Sequence, residues 1–159
     1  MDEFDDFYRA RAGAMRRYAA ALVGVDDADD ACQDAWARIW RAWDDPEPDR
    51  REAWAFRIVR NCCFDRRRRA KAVTDLDERR LPSLPGVDAV VLDRLEADAA
   101  LELLARLPLR LREALWLREV AGLSYAEIAE TQQVPIGTVM SRLHGARRRV
   151  ARALGRDGR

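Results

Sequence analysis

The stretch S-Y-A-E-I-A-E-T-Q-Q-V-P-I-G-T-V-M-S-R-L-H-G-A-R-R-R, residues 124–149, leaves this chain few ways to fold. Ser124 followed by Glu127 is a capping-box pattern, in which hydroxyl and carboxylate each accept an otherwise unpaired backbone N–H. Ala126, Ile128 and Ala129 give the helix that follows a face of small residues, so a second helix can cross close by. Gln132 and Gln133 interrupt the pattern, and Pro135 can take the first position of a new helix, where its missing N–H costs nothing. At Gln133 a glycine would relax a left-handed turn; a side chain there costs about 1 kcal/mol. Ile136, Val139, Leu143, Ala146 and Val150 then recur at helical spacing, with Thr138, Ser141, Arg142, Gly145, Arg148 and Arg149 on the opposite side. The pattern predicts a helix-turn-helix. Hydroxyls and guanidiniums on its second helix are groups that reach phosphates and base edges in a major groove. A solvated basic face is the other reading of the same residues.

The rest of the chain is also helical in pattern, with no strand alternation and no internal repeat. Phe4, Phe7, Tyr8, Arg11, Met15, Tyr18 and Leu22 predict a first helix ending near Gly24. A second begins after Asp26 and Asp27, acids that suit a helix N-terminus. Its apolar stripe is Ala28, Ala31, Cys32, Ala35, Trp36, Ile39, Trp40 and Trp43, with Trp36 and Trp40 expected in the core. The prolines and acids of residues 44–50 make a loop. A third helix is expected from about Glu52 to Lys71, and its four consecutive arginines, 66–69, exceed what nearby Asp65 can pair. Residues 74–88, with Pro82, Pro85 and Gly86, read as a linker. Val91 to Leu107 and Leu111 to Val120 supply two more helical stripes, the second ending at Gly122.

The net charge of +1 hides an alternation. Residues 1–52 hold 8 basic and 14 acidic residues, and residues 53–71 hold 7 and 1. Residues 72–108 hold 4 and 8, and residues 109–159 hold 10 and 5. Two basic zones suited to a polyanion thus alternate with two acidic zones suited to a different partner. Cys32, Cys62 and Cys63 lack zinc-site spacing, and the single His144 is far away in sequence, so no metal and no cofactor is expected. Cys32 and Cys62 fall on apolar faces and read as small core residues. No apolar run approaches membrane-span length and no export leader opens the chain, which predicts a cytoplasmic protein without membrane insertion.

Taken together, four segments resemble the extracytoplasmic-function sigma factors of the sigma-70 family, which direct bacterial RNA polymerase to promoters. They are D-A-D-D-A-C-Q-D-A-W-A-R-I-W (27–40), A-W-A-F-R-I-V-R-N (53–61), L-P-L-R-L-R-E-A-L-W-L-R-E-V-A-G-L-S-Y-A-E-I-A-E (107–130) and P-I-G-T-V-M-S-R-L-H-G-A-R-R-R (135–149). The resemblance implies an all-α fold of two small helical domains joined by a flexible linker. Residues 1–72 would be the region 2 bundle, 73–89 the linker and 90–156 the region 4 helix-turn-helix. It implies docking on the polymerase core enzyme through Asp30, Gln33, Asp34 and Arg38. It implies reading of the separated −10 strand by Asn61, with Arg57, Arg60 and Arg66 on the backbone. Ser141, Arg142 and His144 would lie near the bases of the −35 element, with Thr138, Arg147 and Arg148 holding phosphates. Trp54 and the 44–51 loop could line a pocket for an unstacked base, although Trp54 also suits the core.

Met140 and Gly145 depart from the family habit of a basic and a large residue, and Gly145 is expected on the outward face of the recognition helix. In many members an anti-sigma partner covers these surfaces, a point the residues here leave open. No catalytic grouping is expected. The alternative is a stand-alone helix-turn-helix regulator, which would bind DNA tightly without polymerase. Under the first reading the linker's path is set by the polymerase rather than by a packed domain interface.

Overall fold

The computed structural model describes residues 2–73 and 103–155. The expected linker and most of the helix expected over 91–107 lie outside the described residues. Among the described residues the helices are α1 Asp2–Val23, α2 Val25–Arg41, α3 Arg51–Val73, α4 Leu109–Glu119, α5 Tyr125–Gln132 and α6 Ile136–Ala153, and residues 103–106 are helical as well. A 3-10 turn, Pro48–Arg50, leads into α3, and no strand occurs among the described residues.

The first unit is a three-helix bundle. One residue, Gly24, joins α1 to α2; its φ of 88° is open to glycine at no steric cost, and its N–H bonds back to Ala20 O at 2.8 Å. Small residues bring the helices close. Ala14, Ala19, Ala20 and Ala21 of α1 and Ala28, Ala31 and Ala35 of α2 are buried, with Met15, Tyr18, Leu22 and Ile39 filling the space between. Helix α3 adds Ala55, Phe56, Val59, Cys62 and Cys63. All three cysteines are buried and unpaired, as core residues would be.

The second unit is the helix-turn-helix on α4. Ser124 Oγ accepts from the Glu127 N–H at 3.1 Å, and Glu127 Oε1 accepts from the Ser124 N–H at 3.0 Å, so the capping box is complete. Gln133 closes α5 at φ 58°, the one non-glycine with positive φ among the described residues. Pro135 stands one place earlier than expected, as the N-cap of α6 rather than its first residue. Ser124→Ala removes the side-chain acceptor and is expected to cost about 1 kcal/mol, read by urea unfolding.

The two units share one continuous core, which overturns the expectation of halves without a packed interface. The reason lies in polar groups of α4 that look like surface residues in sequence. Glu113 is fully buried and faces the first unit. Its Oε1 accepts from Tyr18 OH at 3.0 Å and from Arg60 Nε, and Arg110 stands 3.7 Å from Oε2. Arg112 donates across the junction to Ala21 O at 3.0 Å, and to Ala105 O and Leu107 O at 3.0 and 3.2 Å. Thr131 Oγ1 reaches Ala53 O at 3.3 Å. Phe64 lies under both the Arg60 and the Arg110 guanidiniums, at 4.5 and 4.7 Å. A buried charge is tolerated only when it is paired and hydrogen-bonded, and here Tyr18, Arg60 and Ala21 of the first unit supply part of that pairing.

Candidate nucleic-acid and polymerase interface

Helix α2 buries Ala28, Ala31, Cys32, Ala35 and Ile39 on one side, which turns Asp30, Gln33, Asp34 and Arg38 outward. All four proposed docking residues are exposed on this one helix. The two acids are not solitary: Arg66 of α3 lies 3.3 Å from Asp34 and 3.9 Å from Asp30. Trp40 departs from its expected place in the core. It is 49% exposed, with one side against the edge of Phe4 at 4.8 Å. Trp36 is packed against the core as expected.

On α3 two of the four consecutive arginines, Arg66 and Arg67, find partners from further away than Asp65. Arg66 takes the α2 acids, Arg67 donates to Leu22 O at 2.6 Å, and Arg68 pairs with Asp65. Asn61 is exposed, and Trp54 is partly buried against the core. Arg60 and Arg57 face the second unit. Arg60 is held by Glu113, with its side chain only 12% exposed. Arg57 Nε lies 2.7 Å from the Gln133 side-chain amide, which turns its oxygen toward it. Of the four α3 residues expected on DNA, Asn61 alone makes no hydrogen bond or ion pair to another helix among the described residues.

On α6, Val139, Leu143 and Ala146 are buried, so the opposite arc faces out. His144, Arg147 and Arg148 are exposed, and Thr138 is half-buried. Ser141 is exposed but its hydroxyl donates back to Gly137 O at 3.1 Å. Arg142 points inward: its NH1 donates to Gln132 Oε1 at 3.1 Å, and burial lowers its pKa. Arg147 reaches Tyr125 OH at 3.4 Å and Glu119 at 3.5 Å, and its hydrogen bond lowers the Tyr125 pKa. Gly145 is not on the outward face. A Cβ built on it would lie 3.3 Å from Leu111 Cδ2, so the glycine lets α6 approach α4. Gly145→Val is therefore expected to cost about 1–3 kcal/mol by overpacking, whereas Gly145→Ala, which gains helix propensity, should stay near neutral; thermal melts of both variants measure the difference.

These two units coincide with two family models. Sigma-70 region 2 matches residues 6–73, and Sigma-70 region 4 matches residues 97–150. The ECF RNA polymerase sigma factor SigM of Mycobacterium tuberculosis is 37% identical over 159 residues, covering 96% of this chain and 77% of SigM. The chain belongs to the ECF sigma factors of the sigma-70 family. SigE of Mycolicibacterium smegmatis, another ECF sigma factor, is 36% identical over 94% of this chain, which spans 61% of SigE's length. Among solved structures, the sigma factor RpoE of Bartonella quintana, crystallised with the anti-sigma factor NepR, matches with a TM-score of 0.80 and 29% identity. That match covers 99% of this chain and 100% of RpoE. Membership of the family disfavours the stand-alone regulator.

Sequence reasoning about this ECF sigma factor missed Glu113, Arg112 and the packing role of Gly145. Glu113 carries a signal in the sequence: Leu109, Trp116 and Leu117 share its helix face at spacings of three and four, a poor place for a carboxylate with nothing to hold. Among the described residues, no group of three or more His, Cys, Asp or Glu is placed to hold a metal ion, and no helix is long and apolar enough to cross a membrane.

Proposed function

We propose that this chain binds bacterial core RNA polymerase through the exposed face of α2 and directs initiation at promoters, with α3 reading the −10 element and α6 the −35 element. The observation that carries the reading is the presence, in one chain, of both family regions in order, each on its own helical unit. A simple regulator would account for the helix-turn-helix alone. The reading assigns the chain no catalytic chemistry and places it in the cytoplasm, where polymerase and promoters are.

The packed junction gives the proposal a second part. The −10 and −35 elements lie about 25 base pairs apart, ~85 Å along the duplex at ~3.4 Å per step. A chain whose α3 and α5 are in contact, through Thr131 and Ala53, does not span that length. The units must part on the polymerase, which frees Arg57 and Arg60 from Gln133 and Glu113. The packed arrangement is then the resting form, and it suits capture by an anti-sigma partner of the kind that NepR is for RpoE. Two weak contacts fixed at the right separation by one large enzyme give selectivity through effective concentration.

Gel filtration with purified core enzyme, followed by a shift assay on promoter DNA, tests the proposal. The expected result is co-elution with core, and a DNA shift that needs both proteins. A tight shift by the chain alone, unaltered by core, contradicts it.

A further inference from the structure

The outward arc of α6 is apolar where a groove-binding helix leads. Four large apolar side chains are strongly exposed among the described residues: Tyr8, Trp40, Ile136 and Met140. Two of these stand one turn apart in the N-terminal half of α6, at 45% and 50% exposure. That half is the part of a recognition helix that meets base edges. Two polar groups beside them already have partners within the protein. Ser141 is spent on Gly137 O, and Arg142 on Gln132. Gly137 offers no side chain, and the space its Cβ would take is open, so the backbone can lie close to a base pair. Behind this tip the exposed Arg147, Arg148 and Arg149 provide the cationic flank that a duplex requires.

We propose that Ile136 and Met140 read the −35 element by seating thymine C5-methyl groups of the major groove against an apolar edge. The methyl is the one apolar feature that distinguishes a base pair in that groove, so an apolar edge selects A·T pairs of one orientation. Residues four apart rise about 6 Å along a helix, which matches about two base steps of ~3.4 Å. The two side chains therefore address thymines roughly two steps apart. Exposed Met also adapts its shape at little cost, which suits a methyl whose position varies with local twist. The inference rests on the proposed −35 role of α6.

The test uses the full chain with core polymerase on a promoter mapped from a genomic fragment library. Each thymine of its −35 element, on either strand, is replaced singly by deoxyuridine, which lacks only the methyl. Open-complex formation is expected to fall about fourfold at one or two positions, the effect of exposing one buried methyl-sized group. With Met140→Ala or Ile136→Ala, both surface changes whose folding is checked by thermal melt, activity on the thymine template should already be low. The uracil effect at the matching position should then vanish. Uracil without effect at every position, or an undiminished uracil effect in both variants, overturns the inference, as does an element with no thymine in the α6 footprint. Loss in Met140→Ala that is equal on thymine and uracil templates assigns the edge to a protein contact instead and also overturns it. If no fragment supports initiation at all, the sigma-factor reading itself fails, a result distinct from the others.

Discussion

Glu113→Ala is expected to be the most damaging single change at the junction. Removing one partner of a buried pair costs about 3–5 kcal/mol, because the other charge stays behind unpaired. Here two groups lose their acceptor. The Arg60 guanidinium is nearly buried, and the Tyr18 hydroxyl is fully so, its pKa raised well above that of an ordinary phenol by burial and by the carboxylate beside it. Both belong to the first unit, and Glu113 to the second. The strain therefore has an exit: the units can part, and water then solvates Arg60 and Tyr18. The observed cost is capped by the free energy that holds the units together. The melt should fall by roughly 10 °C and broaden, and small-angle scattering should show a larger radius of gyration than the parent chain. Glu113→Gln retains an acceptor for Tyr18 but not the charge, and should fall between the two. A variant as compact and as heat-stable as the parent would mean that Glu113 does not fasten the junction.

The second large effect is expected outside the core. Asp34→Arg places a cation on the exposed face of α2, 3.3 Å from where Arg66 now pairs with the carboxylate. Like charges brought together at an interface cost several kcal/mol, so affinity for core polymerase should drop at least tenfold. The fold should hardly change, because an exposed pair contributes about 0–1 kcal/mol. Surface-bound core enzyme and a melt on the same sample separate the two effects. Unchanged affinity would remove Asp34 from the docking face.

Local features were legible in the residues. The Ser124–Glu127 box, the strained turn at Gln133 and the Gly24 junction each follow from a few neighbouring side chains, and each stands where the spacing puts it. The exposed set Asp30, Gln33, Asp34 and Arg38 was equally visible, since a 3.6-residue period with one buried face fixes the other. Pairings across the chain were not. Arg66 looked like one of four surplus arginines because its acids lie more than 30 residues earlier. Arg60 looked like a free cation because Glu113 is 53 residues later. Gly145 and Trp40 failed for a related reason: a helical wheel says which face is apolar, but not where a neighbouring helix ends or how close it comes. Leu111 meets Gly145, and solvent rather than a helix covers one side of Trp40.

The central claim is that two units packed together in the free chain separate when polymerase presents them to a promoter. A distance between labels at Arg69→Cys on α3 and Arg149→Cys on α6, both exposed sites, measures it directly. The native thiols do not interfere. All are buried, with Cys32 pushed up to about 12 and Cys63 well above its usual value, so at neutral pH they stay protonated and unreactive. The account predicts a short distance in the free chain and one lengthened to several tens of ångströms, on the order of the ~85 Å between the elements, on core polymerase with promoter DNA. A distance that stays the same in a complex that initiates transcription would contradict it.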